Sequence, residues 1–192
     1  MAILRVAQMG HPVLRQVARP VDAEELASPN FQRFLDDMLE TMGEYDGAGL
    51  AAPQVHESVR VVVLILDPDE GPEFLINPVI RPVSDLRTRS AEGCLSVAGM
   101  RGVVDRAAHV RVDAYDRDGK PKAYVLKGFP AVVVQHECDH LDGVLYVDRV
   151  DKTTLAFNDQ WDKFGPLDKL VEGYEEPDDI DDEIVVVKPE VR

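Results

Sequence analysis

The feature that most constrains this chain is an apolar segment that carries four ionisable side chains within five positions. Gly128 and Pro130 open a predicted helix, and Gly143 closes it. The helix is apolar on nearly every side, which is typical of a helix buried at the centre of a domain. Residues 136–140 of this helix read H-E-C-D-H. Burying ionisable groups without partners costs free energy, so the pattern predicts that these side chains bind a metal ion.

Two histidines four residues apart project from the same side of a helix. Positions i and i+4 lie ~40° apart around the axis, so His136 and His140 can bind one ion. Glu137 lies ~100° from His136, where it can accept a proton from the attacking water and pass it to a leaving amine. Cys138 is turned ~200° away and is expected to face the core. The alternative is a helix with two core histidines and a chance glutamate, which leaves buried charges without partners.

A catalytic metal site needs a third protein ligand and an open position for water. Metzincin proteases use a further histidine in H-E-x-x-H-x-x-G-x-x-H, but Tyr146 occupies that position here. A thermolysin-like site needs a downstream glutamate, and the first one is Glu172 in the acidic tail. Cys94, which lies within the sequence E-G-C-L-S and is expected on a loop, remains as the candidate, because a thiolate binds Zn²⁺ or Fe²⁺ well.

Two alternatives for Cys94 stay open. It can be a small buried apolar residue, which is the usual role of a free cysteine. It can also be a nucleophile with a histidine partner, but that role would leave the paired histidines and Glu137 unexplained.

A small-residue segment, G-A-G-L-A-A-P-Q, occupies residues 47–54. Its two glycines and three alanines would allow a substrate backbone to lie against it, and Gln54 carries an amide donor. The alternative is a tight connection between a helix and a strand.

Charge and length exclude several classes of protein. The 192 residues favour one domain, and the net charge of −15 argues against binding nucleic acid by neutralising its phosphates. Residues 172–192 hold nine acidic and two basic residues. The N-terminal residues lack the apolar core of a signal peptide, and the longest aliphatic run is far too short to span a membrane. We therefore expect a cytoplasmic protein without a disulfide between Cys94 and Cys138.

Periodicity predicts the remaining elements. An apolar stripe after Ser28 indicates a helix over about 29–45, and residues 59–66 read as a buried strand. Residues 109–115 and 122–127 predict a hairpin, whereas residues 1–27 read as an irregular arm. The predicted fold class is α+β, a single domain with antiparallel or mixed β-sheets wrapped around the central helix. We expect a catalytic domain over 1–171 and an acidic tail over 172–192, unstructured at 175–183 with a possible edge strand at 184–187.

The three segments, in this order, resemble the signature motifs of peptide deformylases: G-x-G-x-A-A-x-Q, E-G-C-L-S and H-E-x-D-H. Residues 10–15 (G-H-P-V-L-R), Asn77-Pro78 and residues 141–143 also fit, so the resemblance covers roughly residues 8–150. It implies hydrolysis of the N-formyl group of formyl-methionyl nascent peptides near the ribosome, with release of formate. The family's ion is usually Fe²⁺, replaceable by Ni²⁺, Co²⁺ or Zn²⁺, whereas spacing alone would predict zinc.

The resemblance also implies roles for individual residues. Cys94, His136 and His140 would bind the metal, with Glu137 as general acid/base. The Gln54 amide and the Leu95 backbone N–H would stabilise the oxyanion. The residues expected to orient the ligands and site loops are Glu92, Arg106 and Asp139. The residues expected to contact the substrate are Ala48, Gly49, Arg101, Phe129, Val132 and Val133.

Three departures from the family pattern are visible. Ala48 replaces a bulkier valine or isoleucine, Ala98-Gly99 replaces a frequent proline-glycine, and the tail is acidic where some relatives have a basic helix. Two other functions remain as alternatives: an H-E-x-x-H endopeptidase with an unrecognised third ligand, and a structural metal-binding domain with a fourth protein ligand.

Overall fold

The computed structural model describes residues 2–67, 70–164 and 182–190. The α-helices within these ranges are α1 (Ala23–Ala27), α2 (Pro29–Glu44), α3 (Phe129–Leu141) and α4 (Asn158–Phe164). The strands are β1 (Gly49–Ala51), β2 (Val61–Asp67), β3 (Gly71–Pro82), β4 (Arg87–Cys94), β5 (Val97–Ala107), β6 (His109–Tyr115), β7 (Pro121–Lys127), β8 (Ala156–Phe157) and β9 (Glu183–Val186).

A six-stranded antiparallel sheet forms one side of the domain, in the order β1-β2-β3-β6-β7-β9. The predicted hairpin over 109–115 and 122–127 is confirmed as β6 and β7. In the connecting turn, the Asp116 carboxylate accepts hydrogen bonds from the backbone N–H groups of Asp118 and Lys120. Gly119 has a φ of 77° in the same turn. Residues on both sides of Asn77 form the single strand β3, whose register shifts between Ile76 and Val79.

A three-stranded antiparallel sheet, in the order β4-β5-β8, forms the other side. Strands β4 and β5 make a hairpin whose register shifts between Gly93 and Cys94. The interpretation of Cys94 as a loop residue was wrong, because it is the last residue of β4. This position holds the thiol at the end of a paired strand rather than on a free loop.

Helix α3 lies between the sheets, as the sequence predicted. It contacts β1, β2, β5 and β7 and buries nearly all of its residues. Its three adjacent valines have low helix propensity, so packing against the sheets must stabilise it. Its C-terminal end turns at Gly143, where a φ of 74° and the Arg15 backbone, 2.9 Å from any added Cβ, leave space only for glycine. The α+β class with strands around a central helix is confirmed.

The N-terminal part is more regular than expected. Helix α2 begins at the predicted residue, with the Ser28 hydroxyl accepting a hydrogen bond from the Phe31 backbone at 3.3 Å. The prediction of an irregular arm over 1–27 was wrong at Ala23–Ala27, where the Asp22 carboxylate caps α1 by accepting from the Glu25 backbone at 2.8 Å. Asp22 is followed three residues later by Glu25. An N-cap residue with a glutamate three positions on is a sequence signature of a helix N-terminus, and it could have revealed α1.

The C-terminal segment adds an edge strand. Strand β9 pairs with β7 from Tyr124↔Val186 to Lys127↔Glu183, which confirms a strand near the expected 184–187. Glu183, expected to be unstructured, is its first residue. The rest of the tail before Asp182, and the expected domain boundary at 171, lie outside the described residues.

Candidate metal centre and active site

Three potential ligand atoms converge at the junction of α3 and β4. The ligand atoms of Cys94, His136 and His140 lie within 4.8 Å of one another, and the Cys94 Sγ atom is 3.4 Å from His140 Nε2. A tetrahedral ion with metal–sulfur and metal–nitrogen bonds of ~2.3 and ~2.0–2.1 Å holds such atoms ~3.5 Å apart. One thiolate and two imidazoles therefore fit a divalent transition metal. Cys94 and Cys138 are both free, and Cys138 faces the core as expected.

Glu92 fixes the orientation of the first histidine. The His136 Nδ1 atom lies 2.8 Å from Glu92 Oε2. An ionised carboxylate only accepts hydrogen bonds, so Nδ1 carries the proton and the Nε2 lone pair is left for a metal. Burial alone would raise the pKa of Glu92, but hydrogen bonds from Arg106 and His136 outweigh it and lower the pKa to about 2. The carboxylate is therefore charged whenever the protein is folded near neutral pH.

A buried arginine joins Glu92 to the central helix. Arg106 donates two hydrogen bonds to Glu92, at 2.8 and 2.9 Å, and one to Asp139. Burial opposes the charge of Arg106, but its bonds to Glu92 raise its pKa above the ordinary value. Arg149 binds Asp139 from the solvent side at 2.7 and 2.8 Å. The structure thus brings the three predicted orienting residues into one network behind His136.

Replacing Arg106 with alanine is expected to lower the free energy of unfolding by about 3–5 kcal/mol, because it leaves the Glu92 charge buried without its main partner. Urea denaturation of both proteins would measure the difference. Arg149→Ala is the matched control: its side chain is 48% exposed, so its loss should cost about 0–1 kcal/mol. Equal losses for the two variants would contradict the network described here.

Glu137 lies beside the ligands and faces the small-residue segment. It is 5% exposed, and its Oε2 atom has no hydrogen-bond partner among the described residues. Burial raises the pKa of Glu137 to about 7. A Cβ atom built at Gly49 would stand only 2.7 Å from Glu137 Cγ and Oε1. The missing side chain at Gly49 therefore makes the space that the Glu137 carboxylate occupies.

We expect Gly49→Ala to lower the rate of substrate turnover by about 10²-fold, because the methyl group must push the Glu137 carboxylate by the order of 1 Å. Steady-state kinetics on the folded variant would measure it. Gly43→Ala, in α2, is the control, since nothing lies within 4 Å of the added carbon. A Gly49→Ala enzyme as active as the wild type would show that the carboxylate can move without consequence.

Gln54 lies beside Cys94. Its Oε1 atom accepts a hydrogen bond from the Ala51 backbone at 2.8 Å, which turns the Nε2 donor towards Cys94 Sγ at 3.5 Å and Ser96 Oγ at 3.3 Å. Leu95 follows Cys94 in the connection between β4 and β5, and its carbonyl accepts from Gln8 at 3.0 Å. Of the two predicted oxyanion residues, Gln54 thus contacts the thiol with its side-chain amide, and Leu95 is the next residue in the chain.

The chain resembles known proteins over most of its length. The family model for polypeptide deformylases matches residues 3–156. A peptide deformylase of Leptospira biflexa is 40% identical over 177 residues, 87% of this chain and 99% of that protein. One from Stutzerimonas stutzeri is 47% identical over 149 residues, 77% and 87% of the two chains. The chain belongs to the polypeptide deformylase family. It is therefore a metal-dependent hydrolase that removes the N-formyl group from newly synthesised polypeptides.

Solved deformylase structures share this fold. A class I type b peptide deformylase from Acinetobacter baumannii with Met-Ala-Ser bound has a TM-score of 0.73 and 39% identity, covering 78% of this chain and 99% of that one. Across the described residues, none of the helices has the length and apolar character needed to cross a membrane.

The predicted substrate residues are only partly assembled. Ala48, Phe129 and Val133 belong to one apolar cluster, and Val132 is buried on the same helix. Arg101 lies opposite Gly93 in the hairpin; its Nε atom donates to Asn158 at 3.1 Å, and its guanidinium lies 6.0 Å from the Trp161 ring centre. The deformylase roles of these residues remain predictions.

Sequence reasoning missed several contacts within the deformylase site. The Tyr146 ring stacks on His136 at a centroid distance of 6.1 Å, although the sequence indicated only that Tyr146 is not a third histidine. Ser96 and Arg149 also bind site residues, Gln54 and Asp139. No local pattern indicates these contacts, because each joins separate elements of the fold.

Proposed function

We propose that Cys94, His136 and His140 hold Fe²⁺ and that Glu137 is the general acid/base for hydrolysis of the N-formyl group of formyl-methionyl peptides. The convergence of the three ligand atoms within 4.8 Å is the observation that carries this proposal. When bound, a divalent ion activates water at neutral pH and polarises the formyl carbonyl. The softness of one thiolate suits Fe²⁺, and Zn²⁺, Ni²⁺ or Co²⁺ would substitute.

The protein groups then divide the chemistry among them. Glu137 accepts a proton from the attacking water and delivers it to the methionine nitrogen as the C–N bond breaks, so that formate and a free amine leave. The Gln54 Nε2 group and the Leu95 backbone N–H donate to the oxyanion that develops on the formyl oxygen. Support for Gln54 is its bond to the Ala51 backbone, which holds the donor beside the thiol before substrate arrives.

The substrate is proposed to lie against the small-residue segment with its methionine side chain on an apolar wall. The wall would comprise Phe129, Val132 and Val133 of α3, with Ala48 and Gly49 beside the peptide backbone. The clustering of Ala48 with Phe129 and Val133 supports this arrangement. Arg101 is proposed to contact the peptide beyond methionine.

The test is anaerobic purification, metal analysis, and assay of the enzyme on formyl-Met-Ala-Ser and on unformylated peptides. We expect about one iron per chain and release of formate from the formylated peptide alone. Internal cleavage of unformylated peptides would favour the endopeptidase alternative. A metal that is retained without any formate release would favour the structural metal domain.

We also propose that this enzyme meets its substrate in the cytoplasm, on nascent chains near the ribosome, through the emerging peptide rather than through ribosomal RNA. The formyl group of the substrate, which is carried by newly made chains, supports action on nascent chains. The net charge of −15 supports contact through the peptide rather than through RNA. Co-sedimentation should be stronger with ribosomes carrying formylated nascent chains than with empty ribosomes. Equal binding to both would overturn this route.

A further inference from the structure

The C-terminal segment, residues 182–190, reaches the N-terminal end of α3. Its first described residue is Asp182, whose Oδ1 atom accepts a hydrogen bond from the Phe129 backbone N–H at 2.7 Å. Strand β9 pairs Glu183 with Lys127, so Asp182 is carried to the point where β7 ends and α3 begins. A residue from the end of the chain thus contacts the first residue of the helix that bears both histidines.

This contact supplies what the start of the helix lacks. The N-cap residue of α3 is Gly128, which has no side chain to accept a hydrogen bond from the first turn. Proline at residue 130 has no N–H, and the Val132 N–H already donates to the Gly128 carbonyl. The N-terminus of a helix also carries partial positive charge, which a carboxylate stabilises. Asp182 therefore caps α3 from outside its own sequence.

Contacts farther along hold the same segment against the sheet. Arg111 donates to the Lys188 carbonyl at 2.7 Å, and the Glu190 backbone donates to Asp113 at 3.0 Å. The Glu190 carboxylate pairs with Arg81 at 2.6 Å. Strand β9 and these bonds fix both ends of residues 182–190, so Asp182 is presented to the helix by an ordered segment.

The capped residue is part of the proposed methionine wall. Phe129 packs on the same apolar cluster as Ala48 and Val133, and its backbone is the group that Asp182 binds. The family match ends at residue 156, so Asp182 lies in a part of the chain that the family pattern does not include. We propose that Asp182 is a positioning residue for the methionine pocket, holding the first turn of α3 and Phe129 in place; this rests on the proposed function.

The test compares Asp182→Ala, Asp182→Asn and Glu183→Gln in the iron-loaded full chain. For formyl-Met-Ala-Ser, Asp182→Ala should raise KM about fivefold, the size of one lost helix cap, with kcat within about twofold. The histidines and Glu137 lie two turns farther along α3, so kcat is spared. Asp182→Asn keeps an acceptor for the Phe129 N–H and should restore most of the KM. Glu183→Gln removes one charge from the neighbouring exposed residue and should match the wild type.

A failure of this inference can be distinguished from a failure of the proposed function. If the wild type releases formate but Asp182→Ala and Asp182→Asn keep its KM, even with lower unfolding temperatures, the cap is structural only and the positioning role is overturned. An equal rise in KM for Glu183→Gln would overturn it as well, since charge alone would then explain the effect. If the wild type itself releases no formate, the proposed function fails, and the inference that rests on it fails with it.

Discussion

Glu137→Gln is expected to lower the rate of formate release by about 10²–10⁴-fold while the enzyme keeps its metal. The carboxylate stands beside the three ligand atoms but is not one of them, so its replacement removes a proton acceptor and no ligand. It is buried, and its Oε2 atom has no partner among the described residues, which leaves it available to the attacking water. Glutamine fills the same space against Gly49 but cannot accept and return the proton.

The measurement is formate release and metal content on the same preparation of each protein. Glu40→Gln, on the exposed side of α2, makes the same chemical change far from the site and should be fully active. A Glu137→Gln enzyme with wild-type turnover would remove the assigned acid/base. If that variant instead lost its metal, Glu137 would have to be treated as a ligand.

Cys94→Ala is expected to abolish both iron binding and turnover. It removes one of three ligands. Loss of a residue that only hydrogen-bonds a ligand lowers metal affinity by about 10–100-fold, so loss of the ligand itself should lower it further. The two histidines alone cannot hold a divalent ion at the concentrations of an assay. Metal analysis after gel filtration, with formate release on the same sample, measures both effects.

Cys138→Ala is the matched control, because its thiol lies in the apolar core among the strands. We expect that variant to keep its iron and its activity while losing some stability. The outcome also separates the two chemical roles of Cys94. A Cys94→Ala protein that kept its metal but lost activity would indicate a nucleophile, and the proposed ligand set would be wrong.

The central helix and its chemistry were accessible from the sequence because both are local. His136, Glu137 and His140 occupy one helix, so their spacing alone fixes the side from which each projects. Helix α2 and the β6–β7 hairpin were predicted for the same reason, since an apolar stripe and a turn signal lie within one short segment.

The rest of the site depends on pairing between distant segments. Nothing local indicates that Cys94 ends a strand, because that follows from its partner strand β5. The link from Arg106 to Asp139 joins residues 33 apart, and that from Phe129 to Asp182 joins residues 53 apart. Such contacts arise only when the sheets close around α3, so single-residue patterns cannot reveal them.

The position of Cys94 on one sheet and of both histidines on the helix has a consequence for folding. Cys94 and His140 are 46 residues apart in the chain, so an ion held between them is a cross-link that closes a long loop. Part of the free energy of metal binding therefore adds to the free energy of unfolding of the protein. The stability of the fold should therefore depend on the fraction of metal sites that are filled. Oxidation of the site, or removal of the ion by a chelator, should lower the stability of the whole protein as well as its activity.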